Sequence, residues 1–120
     1  MRTTSMVVAG GMVVPFSACS PHVLPGLVED PGVRKNWAGN YTYRAERLYR
    51  PESVEAVQEL VMELGKQKAL GSRHCFNNIA DSPESQVSTA GLNQLLELDE
   101  AANTVTVGAG ARYGDFAEGL

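Results

Sequence analysis

Residues Gly71-Ser72-Arg73-His74-Cys75-Phe76-Asn77 gather, in one uninterrupted run, the side chains of this sequence best suited to chemistry. A glycine at the start frees the backbone to turn. Successive N–H groups can then aim into one concavity, a nest that binds phosphate oxygens without a lysine. Ser72 adds a hydroxyl donor, and Arg73 adds a positive charge for a phosphate or a carboxylate. His74 adds an imidazole, a group that near neutral pH can serve as nucleophile or proton carrier. The spacing matches neither the G-x-G-x-x-G dinucleotide fingerprint nor the phosphate-binding P-loop. On residue types alone this is an anion-binding loop, and a lone loop histidine is more often a plain hydrogen-bonding residue than a catalytic one. Cys75 reads as a small buried thiol without a redox role.

Other chemistries are excluded by composition. Two cysteines (Cys19, Cys75), neither in a C-x-x-C pair, and two histidines (His22, His74) are too few soft ligands for a structural zinc site, and no metal is expected. The net charge of −4, with no lysine-arginine stripe, argues against a nucleic-acid surface. With 43% hydrophobic and 20% charged residues the chain has a globular balance, and its 120 residues allow one small domain at most.

The amino terminus differs from the rest. Arg2 precedes an uncharged stretch, Met6 to Ala18, of signal-peptide length and too short to span a bilayer. It ends in Phe16-Ser17-Ala18-Cys19, which resembles a bacterial lipoprotein cleavage site, with a diacylglycerol expected on the Cys19 thiol. Residues 1–19 are thus expected to be a leader, and the protein to be exported, periplasmic or held at the membrane only by that lipid; the alternative is a buried strand or helix with a chance cysteine in a cytoplasmic protein. Residues 20–35, punctuated by Pro21, Pro25, Gly26, Pro31 and Gly32, read as a tether, with His22 solvated and without a role.

The elements that must position the loop follow. Leu48 to Pro51 is a short extended run. Ser53 to Gly65 is a helix: Val54, Val57, Val61 and Leu64 fall on one face, Ser53 caps the amino end, and Gly65 suits the C′ position. Lys68-Ala69-Leu70 is a second strand leading into Gly71, so strand, helix and strand make a βαβ unit with parallel strands. Such sheets place ligands at the carboxyl ends of their strands. Val87 to Thr89 is another candidate strand. Leu95–Asp99 and Thr104–Val107 make a hairpin in which Leu96 and Leu98 alternate with polar neighbours. Gly108-Ala109-Gly110 ends it, and a helix starts after Arg112. The fold class is α+β with a mixed sheet.

Five segments occur in order: Asn36-Trp37-Ala38-Gly39-Asn40, Arg50 to Val57, Leu70 to Ala80, Leu92-Asn93 and Val105 to Gly110. Together they resemble the start of the FAD-binding (PCMH-type) domain of the vanillyl-alcohol-oxidase flavoprotein family. The likeness runs from about Asn36 onward and is nearest to the alditol and xylitol oxidase branch, with the gulonolactone and arabinonolactone oxidases next. The resemblance implies residues 36–120 as the first half of that domain, with a loop whose amides wrap the FAD pyrophosphate. It also implies a covalent bond from His74 to the 8α-methyl of the flavin ring. Gly71, Ser72, Arg73, Cys75, Phe76 and Asn77 become the cofactor-binding residues around it, Cys75 standing where the family usually has serine.

What the resemblance implies for activity is oxidation of a polyol or sugar lactone at a hydroxyl-bearing carbon. Hydride passes to FAD and then to dioxygen. In the family the acid–base residues lie in a carboxyl-terminal substrate domain, so no catalytic acid or base is assigned. Tyr113 to Leu120 reads as a helix in progress, and the expectation is an amino-terminal fragment that does not turn over alone. The alternative from the residues themselves is a non-enzymatic, secreted anion- or nucleotide-binding lipoprotein domain.

Overall fold

The computed structural model describes residues 22–119 and two short strands nearer the amino terminus, β1 (Met6–Ala9) and β2 (Met12–Pro15), which pair antiparallel. The rest of the expected leader, with Cys19 and its expected lipid, lies outside the described residues.

The body of the fold is a parallel sheet of β3 (Arg47–Tyr49), β4 (Gln67–Leu70) and β5 (Ser85–Ser88), with helix α1 (Val54–Glu63) joining β3 to β4. The strand order is β3–β5–β4. The two strands of the expected βαβ unit are parallel, as anticipated, but β5 lies between them. Successive strand residues point to opposite faces, and the core divides accordingly. Tyr49 and Val87 pack with Leu60 and Leu64 of the helix and with Leu24. On the other face Leu70 packs with Tyr43 and Ala80, and Leu48, Tyr41 and Cys75 border them. Each large apolar side chain fully buried here stabilises the fold by roughly 1.5–3 kcal/mol. At the sheet centre Gln86 is wholly buried, and its amide is satisfied: Nε2 donates to the Ala80 carbonyl at 2.7 Å, and Oε1 accepts from Arg34 Nε at 3.3 Å.

Helix α1 starts as its sequence requires, with Ser53 Oγ accepting from the Ala56 N–H at 3.1 Å and Glu55 in the first turn. Its buried face is rotated from the expected stripe. Leu60 is the deepest residue, flanked by Ala56, Val57 and Leu64, whereas Val54 and Val61 are 60% and 59% exposed. The longer leucine reaches the sheet from the middle of the helix, and the shorter valines beside it stay outside. The helix end also differs. Leu64 takes an extended conformation and Gly65 is not left-handed. The Gln67 side chain closes the helix instead, its Nε2 donating to the carbonyls of Leu60 (3.4 Å), Val61 (3.2 Å) and Leu64 (3.3 Å).

From His22 onward the stretch read as a tether lies against the sheet. Val28 N donates to Leu48 O at 2.9 Å, Arg50 N donates to Gly26 O at 2.7 Å, and Leu27 bridges to Tyr49. His22 Nε2 sits 3.1 Å from Glu59 Oε1 on α1. Prolines and glycines marked irregular backbone here, and irregular backbone can pack as well as link.

The hairpin forms as expected from β6 (Leu95–Asp99) and β7 (Thr104–Val107), with a register shift between Leu95 and Glu97 that breaks the simple alternation of Leu96 and Leu98. A short helix α2 (Tyr113–Phe116) follows. The architecture is α+β.

Candidate functional site

The loop after β4 leaves the sheet at its carboxyl edge. Among the described residues, the N–H groups of Ser72 to Asn77 have no hydrogen-bond acceptor, so they are available to an anion. The left-handed residue of this loop is Arg73, at φ 67°, and not Gly71. A non-glycine residue there costs about 1–2 kcal/mol. Two bonds hold it: the Arg73 carbonyl accepts from Trp37 N at 2.8 Å, and its Nη1 donates to the Lys35 carbonyl at 3.3 Å. Gly71 is not left-handed, and a Cβ placed on it would meet no atom within 4 Å, so neither torsion nor packing in the described residues requires glycine where it opens onto a hollow.

That space is a concavity of about 160 Å³ at the ends of three segments: Gly71-Ser72 after β4, Thr89-Ala90 after β5, and Ala109 to Arg112 after β7. The third segment can lie there only because of its glycines. Gly110 N donates to Leu92 O at 2.8 Å, and a Cβ on Gly110 would fall 1.9 Å from the Thr89 carbonyl oxygen. A second hollow of about 330 Å³ shares Gly71, Ser72, Ala90 and Arg112 and adds Arg34, Arg50 and Arg73. Among the described residues no carboxylate lines either hollow. Among the described residues none of these four arginines makes a salt bridge. An acidic chain thus collects unpaired positive charge at the carboxyl ends of its parallel strands. Arg34 is the buried member, tied to Gln86 Oε1 and to the Ala45 carbonyl. Burial lowers its pKa from the usual arginine value, and the Asp81 charge offsets part of that effect.

The residues expected to form the site separate by position. Gly71, Ser72 and Arg73 line the hollows. His74 is exposed and lines neither hollow, and its ring is stacked on Trp37 with centroids 5.1 Å apart and planes 29° apart. Cys75 is half-buried beside the Tyr43–Leu70–Ala80 cluster, and its carbonyl accepts from Asn36 Nδ2 at 3.0 Å. Phe76 is exposed, with its carbonyl 3.5 Å from Asn40 Nδ2. Asn77 Oδ1 accepts from Ile79 N at 3.1 Å and caps the turn Asn78–Ala80. Cys75 and Asn77 therefore shape the loop, and neither lines a hollow. Arg34, Thr89, Ala90 and Arg112 were not marked as site residues in the sequence. The only signal for them was that Gly108 to Gly110, a strand breaker, precedes Arg112.

Beneath the loop, Asp81 fixes the backbone. Oδ1 accepts from the N–H groups of Arg44 (2.9 Å), Ala45 (3.4 Å) and Ser82 (3.0 Å). Oδ2 accepts from Tyr41 Oη (2.8 Å) and Arg44 Nε (3.1 Å). Burial pushes this carboxyl's pKa up, but the donors outweigh it and the net displacement is downward. The Tyr41 hydroxyl and the Arg44 guanidinium are both held above their ordinary values, first of all by their hydrogen bonds to Asp81.

Free main-chain amides, guanidinium groups and glycine-made space are the donor set that a dinucleotide diphosphate requires, and FAD fits the residues present on that ground. The comparisons agree. A family model described as an FAD binding domain matches residues 45–120. An alditol oxidase of a Streptomyces species is 36% identical over 85 residues, covering 68% of this chain and 20% of the relative. An L-gulonolactone oxidase of Mus musculus is 33% identical over 87 residues, 68% of this chain and 20% of the relative. An L-gulono-1,4-lactone dehydrogenase of Mycobacterium tuberculosis is 28% identical over 81 residues, 64% of this chain and 19% of the relative. The chain spans about a fifth of the length of these curated relatives. With FAD as its cofactor and a match over the greater part of its length, the chain belongs to the PCMH-type FAD-binding domain family.

Proposed function

We propose that this chain is the FAD-holding portion of a flavin-dependent oxidoreductase acting on CH–OH carbons of polyols or sugar lactones, with His74 as the covalent attachment point. The observation that carries the reading is an exposed imidazole that directly follows Arg73, a residue lining an arginine-rich hollow, in a loop with free amides. When bound, FAD supplies the hydride-accepting chemistry, with dioxygen as final acceptor. The loop amides and the guanidinium groups of Arg73 and Arg112 hold the diphosphate, Ser72 adds a hydroxyl donor, and Gly71 keeps the floor open. His74 supplies a nitrogen nucleophile, which requires its ring to be neutral and outward. The relatives, an alditol oxidase and a gulonolactone oxidase and dehydrogenase, support this substrate class. The substrate's acid–base partners belong to sequence outside these 120 residues, so the chain alone is expected to oxidise neither polyols nor lactones.

The test is acid precipitation after incubation of the full chain with FAD. Flavin absorbance should stay with the pellet in the wild type. In His74→Ala it should move wholly to the supernatant while reversible FAD uptake persists. A wild-type chain that takes up no FAD at all would overturn the proposal and leave a plain anion-binding domain.

A further inference from the structure

Two neighbouring residues from a different part of the chain grip the attachment loop on either side of His74. Trp37 N donates to the carbonyl of Arg73 at 2.8 Å, and Asn36 Nδ2 donates to the carbonyl of Cys75 at 3.0 Å. The residue between those two carbonyls is His74, and its ring lies on the Trp37 indole. The grip is itself rigid. Asn36 is buried, its Oδ1 accepts from Tyr41 N at 3.0 Å, its Nδ2 also reaches Asn40 Oδ1 at 2.6 Å, and its N–H donates to Tyr41 O at 3.0 Å. Trp37, by contrast, is 68% exposed. An indole left that open gains little from burial, so hydrophobic packing does not account for its place. What it does contact is the imidazole.

We propose that Trp37 is a positioning residue, a platform that fixes the exposed rotamer of the His74 ring next to Arg73, which lines the hollow. The Asn36 side chain and the Trp37 main chain set the height of the loop. This rests on the reading of His74 as the attachment residue, but the stack can be tested without flavin. A stacked aromatic pair removes rotamers that would turn the imidazole away, and near-attack geometry of that kind governs rates steeply.

Trp37 is the only tryptophan of the chain, so its fluorescence reports the stack directly. An imidazolium in contact with an indole quenches it. Protonating the imidazole by acidifying the full chain should lower Trp37 emission. The drop should vanish in His74→Ala and persist in His22→Ala, whose side chain pairs with Glu59. Equal quenching in His74→Ala, or none in the wild type, overturns the platform. In a second measurement, the initial rate at which flavin becomes acid-stable should fall by on the order of tenfold in Trp37→Ala and be largely kept in Trp37→Phe. A Trp37→Ala rate equal to wild type also overturns it. If the wild type forms no acid-stable flavin while the fluorescence behaves as expected, the attachment reading has failed and the platform has not.

Discussion

At the scale of single residues, Asp81 organises more of the site's surroundings than any residue that lines it. Its two oxygens take five donors drawn from Tyr41, Arg44, Ala45 and Ser82. An amide in its place keeps one acceptor oxygen, loses the charge, and turns the other position into a donor facing donors. Asp81→Asn is expected to lower unfolding free energy by roughly 2–3 kcal/mol at neutral pH, measured by urea denaturation. Because the folded carboxyl binds its proton less readily than the unfolded one, this stabilisation is complete above the unfolded aspartate value. It fades as the pH drops through the folded value, so the wild type and Asp81→Asn should converge in stability under acid. A gap between them that stays constant down through the carboxylate range would contradict this role. None of it could be read from the sequence, because most of the donors lie some forty residues upstream and an isolated aspartate carries no mark of its partners. Arg34 was hidden for the same reason. The Gly71–Asn77 loop was readable because its chemistry is contiguous. Even there the residue in the left-handed conformation, Arg73, was not apparent from residue type, which pointed to glycine.

At the scale of elements, hydrophobic period and turn residues located the strands and α1 to within a few positions, and the hairpin of β6 and β7 matches its expected limits. Two properties were not carried by local pattern. The rotation of α1 depends on which side chain reaches the sheet, and a stripe of valines outscored the leucine that does so. The order of strands depends on which segment supplies the most completely buried ribbon. That segment is Ser85 to Ser88, in which serine and glutamine disguise a central strand. The helix ends offer a test of the capping bonds described above. Ser53→Ala should cost about 1 kcal/mol, and Gln67→Ala a similar amount through the three carbonyls it leaves unanswered. Both should appear as lower denaturation midpoints with unchanged slopes. A Ser53→Ala chain as stable as wild type would show that the cap bond adds nothing to the helix.

At the scale of the molecule, the hollow exists because three chain segments distant in sequence converge where the strands end. Two glycines there play opposite parts, and substituting each with alanine separates them. Gly110→Ala drives a methyl group into the Thr89 carbonyl. It should lower stability by roughly 1–3 kcal/mol and weaken FAD uptake together. Gly71→Ala meets open space, so it should leave stability near wild type and weaken FAD uptake alone. Denaturation midpoints beside equilibrium dialysis with FAD check both. A Gly71→Ala chain that loses stability instead would mean that the glycine serves the fold and not the ligand.

The placement of β5 between β3 and β4 has a consequence for how the chain is made. Strands β3 and β4 leave the ribosome first, yet neither has a hydrogen-bonding partner in this sheet until Ser85 to Ser88 emerges. Pairing within this sheet waits for its last strand. A nascent chain stalled before Ser85 would carry a capped helix and the apolar side chains of Tyr49, Leu60 and Leu64 with only Leu24 against them and Val87 still missing, a state open to chaperones and proteases alike.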